Sequence, residues 1–91
     1  MIDPEAVLDK IIKDIKLTYK SGIIHGDLSE FNILIQENED PIIIDWPQSI
    51  SIEHPNSAIV IERDIKNILS FFKRKYKIEK ELSKVLTLVK D

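Results

Sequence analysis

The apolar positions of this chain follow a helical period, then a strand-like one, then a helical one again. Leu8, Ile11, Ile12, Ile15 and Tyr19 recur at three-and-four spacing, the mark of one buried helix face. Asp3-Pro4-Glu5 supplies the start of that helix, with Asp as N-cap and Pro in the first turn. Lys16 and Lys20 suit its C-terminal dipole, and Gly22 supplies the cap, so the pattern predicts a helix over about 4–20. The period then shortens. Ile23-Ile24, Ile33-Leu34-Ile35 and Ile42-Ile43-Ile44 are brief runs rich in β-branched residues. The last two flank a polar Gln36–Asp40 turn and predict a hairpin over 33–44. Pro47 and Pro55 mark 46–57 as an irregular loop. Ile61, Ile65, Ile68, Leu69, Phe72 and Tyr76 restore the helical stripe, predicting a helix over about 60–76. Ile78, Leu82, Val85, Leu86 and Val89 predict another over 78–90. The expected fold is α+β, mainly helical, in one domain over 1–91.

Composition narrows the class. Ninety-one residues, 43% of them hydrophobic and 32% charged, suit one small globular domain and exclude a disordered tail. The absence of cysteine excludes disulfides and thiolate metal sites, and fits an intracellular setting. No apolar run approaches the roughly 20 residues of a membrane helix. The start Met1-Ile2-Asp3-Pro4-Glu5 lacks the basic residues of a signal peptide. Gly22 and Gly26 are the only glycines, so no glycine-rich phosphate loop is present. Charge is uneven: residues 1–61 carry 4 basic and 11 acidic side chains, residues 62–91 carry 9 and 5. The acidic part could host a divalent cation, and the basic run Lys73, Arg74, Lys75, Lys77 could face RNA. The bland reading of that run is a solvated surface.

The chemistry gathers where apolar runs end. Asp27 and Asn32 lie between the first and second runs, and Asp45 closes the third. The hairpin returns the chain, so Asp45 can approach Asn32. Two oxygen donors plus a further carboxylate suit a hard cation with a spare base, and Mg²⁺ fits best because it keeps waters and phosphates in its shell. His25-Gly26-Asp27-Leu28-Ser29-Glu30-Phe31-Asn32 reads H-x-D-x-x-x-x-N, which is similar to the protein-kinase catalytic loop, a loop followed by a second metal-binding Asp. In that reading Asp27 is the base or positioning group, Asn32 and Asp45 are metal ligands, and His25 orients the loop. The bland alternative makes the acidic and amide residues turn and cap residues, and His25 a satisfied structural histidine. Asp64 could accept backbone N–H groups of residues 25–27 and hold the loop rigid, or could be an ordinary first-turn Asp. Trp46 and Phe31 read as core or hinge-facing packing, and Ser29 as a phosphate or metal-water contact.

Gly22-Ile-Ile-His25-Gly-Asp27-Leu-Ser-Glu-Phe-Asn32-Ile-Leu, Ile44-Asp45-Trp-Pro-Gln-Ser49, His54-Pro-Asn56 and Glu62-Arg-Asp64-Ile-Lys-Asn67-Ile together resemble the RIO family of atypical serine/threonine protein kinases. The Gly after His25, the Asp-Trp-Pro-Gln run and Glu62-Arg63-Asp64 look more like its Rio-two branch. The resemblance implies the C-terminal lobe of a kinase-like fold, with a catalytic loop over 25–32, a metal loop over 45–57, and the N-terminal lobe missing. It implies ATP as co-substrate, Mg²⁺ (or Mn²⁺) as metal, and a cytoplasmic role in maturing the small ribosomal subunit through the pre-ribosomal particle and its RNA. It also makes Asp45 a candidate phosphoacceptor. Aminoglycoside- and choline-type phosphotransferases share His-Gly-Asp-Leu and Ile-Asp-Trp, but their His-Pro-x-Asn gives way here to Ser29-Glu30-Phe31-Asn32. A non-catalytic RNA-docking module is the alternative of a different class. The short interval after Asp45 leaves no room for a long activation loop and favours ATPase-like or restricted phosphorylation. Without the glycine-rich loop and its partner lysine, the lobe alone is expected to be inactive.

Overall fold

The computed structural model describes residues 3–91; Met1 and Ile2 of the acidic start lie outside them. Helix α1 runs Pro4–Lys20. Asp3 caps it, its side chain accepting the Ala6 N–H at 3.3 Å. Val7, Leu8, Ile11, Ile12 and Ile15 form the buried stripe. The helix stops because Gly22 takes a positive φ of 94° and turns the chain, its N–H donating to Tyr19 O at 2.9 Å.

Strand β1, Ile23–Ile24, follows at once, and its partner lies outside the expected hairpin. It pairs antiparallel with a short strand inside the supposed irregular loop, with Ile23 opposite Ser51 and Ile24 opposite Ile50. The segment 45–57 is therefore not a continuous loop. Its Ile50-Ser51-Ile52 alternation is a period-two signal, with Ile50 and Ile52 packed on the core and Ser51 exposed. Strands β2, Ile33–Ile35, and β3, Pro41–Ile43, form the hairpin in register Ile33↔Ile43. Its turn closes through Gln36 N–H to Asp40 O at 3.0 Å, with Glu39 at φ 66°. Lys10 of α1 binds the Asp40 carboxylate at 2.9 Å, and that hydrogen bond holds the lysine above its usual pKa. The strand at Ile50–Ser51 is β4.

Helix α2 runs Ser57–Tyr76, three residues earlier than the stripe suggested, because its opening residues Ser57, Ala58 and Ile59 are helical without belonging to the buried face. It ends at Lys77, which takes a left-handed φ of 60° although it is not glycine. The Lys77 N–H donates to Lys73 O, and the Ile78 N–H reaches Phe72 O at 3.4 Å. That left-handed residue throws the chain out of helix. Helix α3 consequently begins at Leu82 and ends at Lys90, not at 78 as its spacing suggested. Residues 78–81 are a non-helical linker in which Ile78 still packs on the core, mimicking a helical repeat. The three helices bury Leu8, Ile11, Ile65, Ile68, Phe72, Val85 and Val89 against one another. Each such side chain is worth about 1.5–3 kcal/mol relative to exposure. β1 and the residues after it ride on this base, with Ile24 and Leu28 buried in it. Among the described residues no helix is long and apolar enough to cross a membrane.

Candidate active site

Each end of the 25–32 loop is fixed to the core, and its middle is fixed to α2. His25 follows buried Ile24 and is itself 4% exposed. Its Nε2 lies 2.8 Å from Ile44 O, and its Nδ1 lies 3.2 Å from the Asp27 nitrogen. A carbonyl can only accept and a backbone N–H can only donate, so these contacts assign the proton to Nε2 and the lone pair to Nδ1. Both ring nitrogens are thereby engaged, one with the Ile44 carbonyl and one with the loop backbone. Its face meets Trp46 at 4.8 Å between centroids.

Gly26 is needed twice over. Its φ is +95°, and a Cβ there would stand 2.1 Å from Gln48 O. The turn after Asp45 thus packs directly on the loop backbone.

Around Asp27, every neighbouring backbone group is taken up by α2. The N–H groups of Gly26 and Leu28 donate to the two carboxylate oxygens of Asp64, at 2.8 and 3.1 Å. Arg63 donates to Gly26 O, and Asn67 Nδ2 donates to Leu28 O at 3.3 Å. Positions 63 and 67 share a helix face, with 64 beside them, so one face of α2 reaches both residues that flank Asp27. Asp64 is 1% exposed and lies well past the first turn of α2, so the reading as a first-turn dipole residue is corrected. Asp27 itself is left exposed on a backbone held from both sides.

Asn32 closes a short 3₁₀ turn, Glu30–Asn32, capped by Ser29. Ser29 Oγ accepts the Phe31 N–H and donates to Asn32 Oδ1 at 3.1 Å, so the amide oxygen is oriented by the hydroxyl. The Asn32 backbone carbonyl accepts the Ile44 N–H at 2.8 Å. Ile44 is therefore bonded through its N–H to Asn32 and through its carbonyl to His25. Asp45 follows it directly. Asp45 has a left-handed φ of 66°, and Trp46 Nε1 donates back to Ile43 O at 3.0 Å across that turn.

The donor set fits a hard cation in kind. Asp27 and Asp45 are exposed carboxylates with no hydrogen bond or ion pair among the described residues, and Asn32 adds an oriented amide oxygen. Among the described residues no three His, Asp or Glu side chains gather into a group that could hold a metal.

Other expectations shift. Phe31 is 84% exposed, so it is not core packing; Trp46, by contrast, packs on His25. The basic run is largely engaged within the chain: Lys73 pairs with Glu79 at 3.3 Å, and Arg74 with Glu30 at 3.1 Å. Lys75 lies over the rings of Phe71 and Tyr76, and Lys77 donates to Arg74 O. Arg63, Asn67 and Gln48 lie within the quoted motifs, yet their loop contacts are visible only in the fold. The signal for the first two is the i, i+4 spacing of Arg63 and Asn67, with Asp64 next to that face.

Comparison with known proteins decides the lineage. A family model of the RIO domain matches residues 2–85. The chain belongs to the RIO family. The RIO-type serine/threonine-protein kinase Rio2 of Methanocaldococcus jannaschii is 54% identical over 76 residues, 84% of this chain and 28% of that protein. The serine/threonine-protein kinase RIO2 of Caenorhabditis elegans is 40% identical over 79 residues, 87% of this chain and 15% of that protein. The crystal structure of the Rio2 kinase-ADP/Mg²⁺-phosphoaspartate complex from Chaetomium thermophilum superposes with a TM-score of 0.78 at 30% identity. It is covered over 96% of this chain and 30% of that one. The chain thus spans less than a third of the length of these relatives, and its fold is a lobe of the kinase-like RIO fold.

Proposed function

We propose that this chain supplies the base and metal-ligand half of a RIO-type serine/threonine kinase or ATPase site that uses MgATP. The observation that carries the reading is the double attachment of Ile44, to Asn32 and to His25, which joins the Asp27 loop to the Asp45 turn. Asn32 and Asp45 would hold Mg²⁺, which when bound neutralises phosphate charge. Asp27 would accept a hydroxyl proton or orient a water, from a backbone that cannot drift because α2 holds it. Asp45 is also the candidate phosphoacceptor, as the phosphoaspartate named for the Chaetomium protein suggests. One carboxylate oxygen would bond to the γ-phosphorus as the bond to the bridging oxygen breaks and ADP leaves. The names of the relatives favour a protein kinase over a small-molecule phosphotransferase. A role in maturing the small ribosomal subunit in the cytoplasm belongs to this proposal. Docking on RNA through Lys73–Lys77 is the weaker reading, since those cations already have partners in the chain.

The test is a Mn²⁺ titration of the 91-residue chain followed by amide NMR. Broadening should begin at Asn32, Asp45 and Asp27 and vanish in Asp45→Ala. Broadening spread evenly over the acidic residues would overturn the metal assignment. With only Gly22 and Gly26 as glycines, the chain alone is expected to bind MgATP weakly and to phosphorylate nothing measurable. Robust turnover abolished by Asp45→Ala would contradict that expectation.

A further inference from the structure

α1 and α3 leave a groove of about 550 Å³ between them, lined by no residue of the 25–32 loop or the Asp45 turn. Its floor is Ile12 and Val85, both buried, and its walls are Leu17 and Leu88. Those two leucines are 57% and 53% exposed, so the groove keeps apolar surface in water that the fold does not use. Its rim is cationic: Lys13, Lys16 and Lys20 follow one another along α1, and Lys80 faces them from the linker. Lys80 is paired with Asp9 at 3.3 Å. The other three form no ion pair among the described residues. This is a local reversal, because residues 1–61 as a whole are strongly acidic.

We infer that this groove is a docking site for an acidic amphipathic helix of a partner protein. The occupant must be apolar on the face that meets Leu17 and Leu88 and negative along its edges, where it meets unpaired lysines. The groove runs beside α1 from Asp9 to Lys20, a length of about 16 Å at 1.5 Å per residue, which accepts about three helical turns. An apolar stripe at i, i+3, i+4 and i+7 laid into such a trough is a recurring mode of peptide recognition. A lipid surface would want a projecting apolar ridge, whereas this surface is concave. RNA would want rings on which to stack bases, and the floor and walls are aliphatic. The inference does not depend on the kinase reading.

A display library of random 16-residue peptides, selected on the intact 91-residue chain, tests it. Enriched peptides should combine Asp or Glu with Leu, Ile or Phe at helical spacing. Measured by fluorescence anisotropy, the best of them should lose at least about tenfold in affinity against Leu17→Glu, and about threefold against Lys13→Glu. Leu88→Glu is the second variant, and circular dichroism verifies that each remains folded. Enrichment of basic or uncharged peptides, no enrichment over the bare support, or equal affinity for Leu17→Glu would overturn the proposal. So would binding to phosphatidylserine vesicles or to an RNA oligomer, or self-association lost in Leu17→Glu, in the absence of peptide binding.

Discussion

The two halves of α2 carry charge of similar density and use it in opposite ways. In the first half, Arg63, Asp64 and Asn67 turn toward the 25–32 loop and take up four backbone groups on either side of Asp27. In the second half, Lys73, Arg74 and Lys75, with Lys77 just past the helix end, lie at the surface; Lys73, Lys75 and Lys77 meet groups nearby in sequence, and Arg74 meets Glu30. The difference is burial. A buried acceptor that satisfies two N–H groups cannot be replaced by water, so its loss leaves those donors unpaired. An exposed ion pair exchanges freely with water, and the median such pair is worth about 0–1 kcal/mol. Charge on this helix therefore determines structure in its first half and solubility in its second.

The sharpest way to break this picture is through the residue that the first half grips. Gly26→Ala should cost about 4 kcal/mol, because the new Cβ meets a backbone carbonyl and the left-handed φ adds its own strain. Gly22→Ala is the control: it shares the positive φ but meets nothing within 4 Å, so about 1 kcal/mol is expected. Urea midpoints of the two variants give the difference. Equal losses would mean that the Gln48 contact is not constraining the loop.

Asp64→Ala comes next. It strands the Gly26 and Leu28 N–H groups in the core, for about 3 kcal/mol, and amide exchange at those two positions should accelerate more than at Ile68. Asp64→Asn keeps one acceptor and should recover part of the loss. If Asp64→Ala unfolds no more readily than an exposed control such as Glu62→Ala, the clamp is not what holds the loop.

Much of this contrast can be read from the residues. Helical spacing located the buried stripes of α1 and α2, because a stripe is a local property. The H-x-D-x-x-x-x-N spacing and the Asp that ends an isoleucine run point to Asp27, Asn32 and Asp45 as candidates, because strands that end at the core surface deliver their next residue to that surface. Asp64 stood out as a carboxylate between buried Ile61 and Ile65. Other features depend on partners distant in sequence. β1 finds β4 across a long stretch that includes a complete hairpin, and two-residue strands carry too little pattern to announce a pairing. Lys77 adopts the left-handed cap that composition assigns to glycine, so α3 starts late and Ile78 poses as a helical residue. The exposure of Phe31 is invisible to any rule that places aromatics inside.

The smaller effects decide how far the contrast extends along α2. Arg63→Ala and Asn67→Ala each remove one donor from a loop carbonyl that stays within reach of water, so each should cost about 1 kcal/mol. The second half should respond less again. Lys73→Ala and Arg74→Ala each break one exposed pair and should shift the unfolding free energy by less than about 0.5 kcal/mol, with the shift shrinking further in 0.5 M salt. Arg74 is the more demanding case, because its partner Glu30 sits on the 3₁₀ turn that carries Asn32 and is only 24% exposed at its side chain. A loss of 2 kcal/mol or more at Arg74, persisting in high salt, would move the boundary. The C-terminal half of α2 would then also be bracing the loop, from the Asn32 end, and only Lys73, Lys75 and Lys77 would remain as solvated surface.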